Sequence, residues 1–72
     1  EELLREKFGL TAREAEVLTW ISKGKTNHEI AIILDFSPRT ANKHLEQIFR
    51  KLNVENRTTA AAVSLRYLSQ IK

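Results

Sequence analysis

The chain has 72 residues, 12 Lys and Arg against 9 Asp and Glu, and neither Cys nor Met, for a formal net charge of +3. A domain of this size buries only about 60% of the surface its unfolded chain exposes, leaving one thin core and no deep substrate cavity, so a self-contained enzyme is not expected. Without Cys there is no disulfide framework or Cys-based zinc site, and no apolar run approaches the roughly 18 residues of a membrane span; the expectation is a soluble domain in a reducing, cytoplasmic setting.

The charge is unevenly spread. Residues 1–35 hold five basic and seven acidic side chains, net −2, whereas residues 36–72 hold seven and two, net +5. An anionic partner would be met by the second half. The alternative is that these cations only solvate helix surfaces.

With two Gly, one Pro and no alternating run of strand length, the chain reads as all-helical. Thr11 and Glu14 have the spacing of a capping box, Val17, Leu18 and Ile21 follow on one stripe, and Lys23 and Gly24 supply a stop. These signals predict a first helix over about 12–23. Thr26 and Glu29 repeat the capping spacing before Ile30, Ala31, Ile33 and Leu34, a second helix of about two turns that ends at Asp35. Ser37 and Pro38 then open a third helix as N-cap and first helical residue, and Ala41, Leu45, Ile48 and Leu52 recur at helical spacing. Asn53 tolerates the left-handed conformation that ends a helix, Val54 is a hydrophobic plug, and Asn56 or Arg57 opens a fourth helix to about Gln70.

Other residues suggest little chemistry. Trp20 sits at the edge of the first helix's apolar stripe, suited to the core rim or to contact with an upstream domain. His28 and His44 are too few for a metal site, and His44 borders the core side of its helix, where a structural role fits. No nucleophile, base and acid share a recognisable spacing, and Gly9 and Gly24 make no phosphate-cradling loop. No cofactor or small-molecule ligand is expected.

The short second helix, the turn Asp35-Phe36-Ser37 and the longer third helix have the form of a helix-turn-helix, which offers its second helix to the DNA major groove. At about 100° per residue, Ala41, Leu45, Ile48, Phe49 and Leu52 share the core side. Opposite them lie Arg39, Asn42, Lys43, Glu46, Gln47 and Arg50, three cations and two amides among them. Such groups neutralise phosphates and fork onto base edges. The same six would also serve as a solvated face, with Glu46 and Arg50 as an i,i+4 pair.

From Leu10 to Leu65 the residues resemble the LuxR-type (GerE-like) helix-turn-helix domains, which include those of quorum-sensing receptors and NarL/FixJ-type response regulators. The resemblance is carried by Leu10-Thr11-Ala12-Arg13-Glu14-Ala15-Glu16-Val17-Leu18, then Gly24, Asn27, Glu29-Ile30-Ala31, Leu34, Ser37, Thr40, His44, Ile48, Lys51-Leu52, Val54, Arg57 and Ala60. It implies a compact four-helix domain over residues 1–72, helices two and three forming the helix-turn-helix and helix four the dimer contact. It also implies a C-terminal piece of a longer regulator, with a sensory or receiver domain upstream and RNA polymerase as a further partner. By position, base contacts would fall on Asn42, Lys43 and Glu46. Phosphate contacts would fall on Asn27, Thr40 and Lys51, to which the basic and helix-terminal Ser37, Arg39 and Arg50 are added on physical grounds. Asn27 could instead cap its helix, and Lys51 could pair with Glu14.

Three departures bear on specificity and stability. Where the family usually has Val and Lys after Thr40, this chain has Ala41 and Asn42, and the cation follows at Lys43. Asn42 is able to fork onto adenine N6 and N7, a discrimination of about 1–3 kcal/mol per base. Asn53 stands where Gly is usual. Glu46 repels phosphate unless it accepts from cytosine N4 or is held by Lys43 or Arg50.

On the fourth helix, Ala60, Ala61, Ser64, Leu65, Leu68 and Ile71 are expected to meet the core, with Val63 and Tyr67 outside that arc. The excess apolar surface, with Ala62 and Arg66 beside it, suggests a homodimer contact through Ala62, Val63, Arg66 and Tyr67. Two-fold pairing would set two recognition helices about 10 base pairs apart on an inverted repeat of double-stranded DNA. A helical protein-interaction module binding an acidic partner, or a fragment that only dimerises, would use the same residues differently.

Overall fold

Capping side chains set most of the helix boundaries. In the computed structural model, which describes residues 2–71, the elements are α1 (Glu2–Phe8), α2 (Ala12–Ser22), α3 (Asn27–Leu34), α4 (Pro38–Leu52) and α5 (Arg57–Ser69). The four expected helices are α2 to α5. The expectation of a four-helix domain is corrected by α1, a helix of seven residues. It closes at Gly9, whose φ of +67° is the left-handed conformation, with the Leu10 N–H donating to the Arg5 carbonyl at 2.9 Å. Buried Leu4 and half-buried Phe8 attach α1 to the core.

Both capping boxes are formed. Thr11 and Glu14 start α2, and Thr26 and Glu29 start α3, each threonine hydroxyl accepting from the glutamate N–H while the carboxylate accepts from the threonine N–H. The Thr26 N–H, with the hydroxyl assisting, holds the Glu29 carboxyl below the ordinary glutamate range. Ser37 caps α4 with Pro38 at its first turn, and Asn56 caps α5.

The core is built around α2, which packs against all four other helices. Val17, Leu18 and Ile21 meet Ile30 of α3, Leu45, Ile48 and Leu52 of α4, and Ala60 of α5 in one buried cluster. Full burial of each large aliphatic side chain stabilises the fold by about 1.5–3 kcal/mol. The buried Ser64 hydroxyl is satisfied at 2.7 Å by Ser22, which joins α5 to the end of α2. Trp20 lies partly buried against the cluster with the Lys23 ammonium 5.2 Å over its ring, a core-rim position.

Phe36 makes the turn between α3 and α4 possible. Asp35 takes the left-handed conformation with φ of +60°, the Phe36 N–H donates to the Ala31 carbonyl at 3.0 Å, and the Phe36 ring packs on the core beside His44. The chain then re-enters a helix at Ser37. No helix among the described residues is long and apolar enough to cross a membrane.

Candidate nucleic-acid interface

The sequence of α4 divides the helix into two sides. Ala41, Leu45, Ile48 and Leu52 are buried, while Arg39, Asn42, Lys43, Glu46 and Arg50 are exposed and Gln47 is half-exposed. The exposed side thus carries the cations and amides expected there. It is flanked by the starts of α3 and α4, where helix dipoles and backbone N–H groups favour an anion.

At the start of α4 the Ser37 hydroxyl accepts from the Thr40 N–H and donates to the Thr40 hydroxyl, both at 3.1 Å. At the start of α3, Asn27 does not cap the helix, a role that Thr26 fills. Instead its Nδ2 donates to the Asn42 Oδ1 at 3.1 Å, linking the two helices of the motif across their outer surface. The Asn27 Oδ1 in turn accepts from Arg57 at the start of α5, whose second guanidinium nitrogen donates to the Lys25 carbonyl. Asn27, Asn42, Glu46 and Arg57 line one cleft together with Leu45 and Phe49.

The sequence marks Arg57 as a helix start and as a residue of the family resemblance, without a role at the interface. A usable signal existed: a cation at a helix N-terminus opposes the helix dipole and so needs specific acceptors nearby.

Lys51 is engaged inside the domain. Its ammonium lies 2.7 Å from the Glu14 Oε1, which also accepts from the Thr11 N–H at 3.0 Å. Glu14 is only 5% exposed. Burial, the largest single influence, pushes its carboxyl up, but Lys51 and Thr11 together outweigh it and hold the group below the ordinary glutamate value of 4.5. Two of the three Lys51 ammonium protons remain for other acceptors.

Around α5 the expected core arc is rotated. Leu65 is 50% exposed and Ile71 37% exposed, whereas Val63 and Tyr67, expected outside, pack against the core. The Tyr67 ring meets Phe8 of α1 edge-on with centroids 5.8 Å apart, a partner that was missing without α1. Of the residues expected in a dimer contact, Ala62 and Arg66 are exposed and Val63 and Tyr67 are half-buried.

A short helix, a three-residue turn and a longer helix with an outward basic and amide-bearing side define a helix-turn-helix domain of the DNA-binding class. The family model for bacterial regulatory proteins of the luxR family matches residues 9–64, and the chain belongs to that family. It is similar to the transcriptional activator protein BjaR1 of Bradyrhizobium diazoefficiens, 48% identical over 58 residues, covering 81% of this chain and 24% of the relative. The transcriptional activator protein AhyR of Aeromonas hydrophila is 53% identical over 53 residues, 74% of this chain and 20% of the relative. The uncharacterized transcriptional regulatory protein YhcZ of Bacillus subtilis is 44% identical over 64 residues, 88% of this chain and 30% of the relative. The chain therefore spans between a fifth and a third of these relatives' lengths.

Proposed function

We propose that the chain is the output domain of a bacterial transcription regulator, binding double-stranded DNA sequence-specifically as a dimer in the cytoplasm. The observation that carries this reading is the outward side of α4, where Arg39, Asn42, Lys43, Glu46 and Arg50 are exposed together in a luxR-family chain. α4 enters the major groove, with Asn42, Lys43 and Glu46 at base edges. Ser37, Thr40, Arg39, Arg50 and Asn27 set the domain on phosphates, and Lys51 contributes from the shoulder while holding Glu14. The domain is a binding module and not an enzyme. Its partners are DNA, a second copy, an upstream sensory or receiver domain and RNA polymerase.

For the dimer, the outer surface of α5 offers Ala62, Leu65 and Arg66, with Val63 and Tyr67 at its edges. Small Ala62 allows close approach and Leu65 supplies apolar area.

The test is selection from random duplex DNA at about 50 mM salt, where phosphate contacts are strongest. An enriched inverted repeat whose bases relax in Asn42→Ala and Lys43→Ala is the expected outcome. Affinity should fall with salt at a slope of about −0.9 per phosphate contact. No enrichment from folded protein would overturn the reading and favour a protein-interaction module instead.

A further inference from the structure

The polar chain from α5 to α4 has a direction. Arginine carries only donors, so the amide oxygen of Asn27 must face Arg57, as it does. That turns the Asn27 amino group towards Asn42, and the Asn42 oxygen accepts from it at 3.1 Å. With its oxygen held inward, exposed Asn42 has its Nδ2 amino group left to present outward. Arg57 is itself fixed, because its second terminal guanidinium nitrogen donates to the Lys25 carbonyl. The orientation of one exposed amide is thus set by a guanidinium two side chains away.

We propose that Arg57 is a positioning residue for base reading: through Asn27 it locks Asn42 as a hydrogen-bond donor, which selects a base that shows an acceptor in the major groove. This rests on the DNA-binding reading above. Guanine offers N7 and O6, adenine N7 and thymine O4, whereas cytosine offers only its amino donor. The position that Asn42 touches therefore admits guanine, thymine or adenine and rejects cytosine. That differs from the adenine fork, which requires the Asn42 oxygen to turn outward as well.

The polarity is reversible by design. In Asn27→Asp the side chain accepts from both neighbours, so Asn42 must donate inward and turn its oxygen outward. Cytosine or adenine, which carry amino groups, then become the preferred bases. Arg57→Lys keeps a donor-only group at the end of the chain and keeps the wild-type preference. Arg57→Leu frees the Asn27 amide to flip, so discrimination against cytosine falls by roughly 3- to 10-fold, the worth of about one hydrogen bond.

The experiment is selection from random duplex DNA by the wild-type domain, Asn42→Ala, Asn27→Asp, Arg57→Lys and Arg57→Leu, each checked for helicity by circular dichroism. Asn42→Ala locates the base pair, and preferences are compared within each variant, so a uniform loss of affinity cancels. The expected result is exclusion of cytosine by wild type and Arg57→Lys, relaxation in Arg57→Leu and inversion in Asn27→Asp. Strict adenine in the wild type, or an unchanged preference in both folded Arg57→Leu and Asn27→Asp, overturns the proposal while leaving DNA binding intact. If Asn27→Asp does not fold, the Arg57 pair decides. Failure of the wild type to enrich any duplex is the separate outcome that removes the underlying reading.

Discussion

Helices α4 and α5 pack on α2 and on each other, yet they sort their two sides by different means. On α4 the aliphatic residues Leu45, Ile48 and Leu52 are buried and charged or amide side chains face out, so burial of its own apolar stripe is enough to fix its rotation. On α5 the residues at closest approach are small, Ala60 and Ser64, both 0% exposed, while Leu65 is half exposed. Its rotation is fixed by partners: the Ser22 hydroxyl on Ser64 and the Phe8 ring on Tyr67. A helix with a strong stripe carries its own orientation, and a helix of small residues takes it from its neighbours.

Truncation at the two helices should separate these cases most widely. Ile48→Ala removes a fully buried side chain from α4 and should lower the free energy of unfolding by about 3 kcal/mol. Leu65→Ala on α5 should stay within about 0.5 kcal/mol, because the side chain is already half in water. Urea denaturation of both variants without DNA checks the pair. Equal losses would mean that Leu65 is in the core and that α5 is oriented by its own apolar residues after all.

The same contrast explains what was legible in the sequence. Capping pairs and apolar spacing placed α2 to α5 to within about two residues, because those signals act within one turn of the chain. The outward side of α4 was legible for the same reason. The first helix was missed because it is short and Leu4 and Phe8 make only one i,i+4 step; Gly9 followed by an apolar residue was the readable sign of its end. The rotation of α5 depended on that missed helix. The Arg57–Asn27–Asn42 link joins residues 30 and 15 positions apart, and no local pattern reports such a pairing.

A smaller effect comes from the polar tie on the inner shoulder of α4. Lys51→Ala leaves the buried Glu14 carboxylate without its cation and should cost about 2 kcal/mol at neutral pH. Since the folded-state value of Glu14 lies below 4.5, its contribution is present above the unfolded value and is lost as pH falls through the folded one. Wild type should therefore lose stability on acidification below about pH 4.5 more steeply than Lys51→Ala, whose unpaired Glu14 takes up a proton sooner. Denaturation curves from about pH 7 to about pH 3, which span the ordinary carboxylate range, check both the size and the convergence. A difference between the two proteins that does not shrink in acid would assign the loss to packing of the lysine stem instead.

On α5 the corresponding tie is aromatic. Phe8→Ala removes the edge-on contact with Tyr67 and part of the half-buried ring's packing, an expected loss of about 1.5 kcal/mol. The sharper readout is exposure: Tyr67 fluorescence should become more accessible to a soluble quencher while the protein stays folded. Unchanged quenching would show that α5 holds its rotation without α1.

The smallest change acts on the joint between the two helices. Asn53 ends α4 at φ 58° and ψ 48°, its N–H donating to the Arg50 carbonyl at 3.1 Å and the Val54 N–H donating to the Phe49 carbonyl at 3.0 Å. This left-handed residue turns the chain so that Val54 plugs the core and α5 starts in the right direction. Asn53→Gly relieves the strain on a Cβ there but loosens the unfolded chain, so the net gain should be only about 0.5 kcal/mol. Asn53→Val, β-branched in the same conformation, should lose more than about 1 kcal/mol. Thermal and urea unfolding of the two variants measure the spread between them. A wide spread means that the joint carries part of α5's orientation, whereas two neutral substitutions would leave that orientation to Phe8 and Ser22 alone.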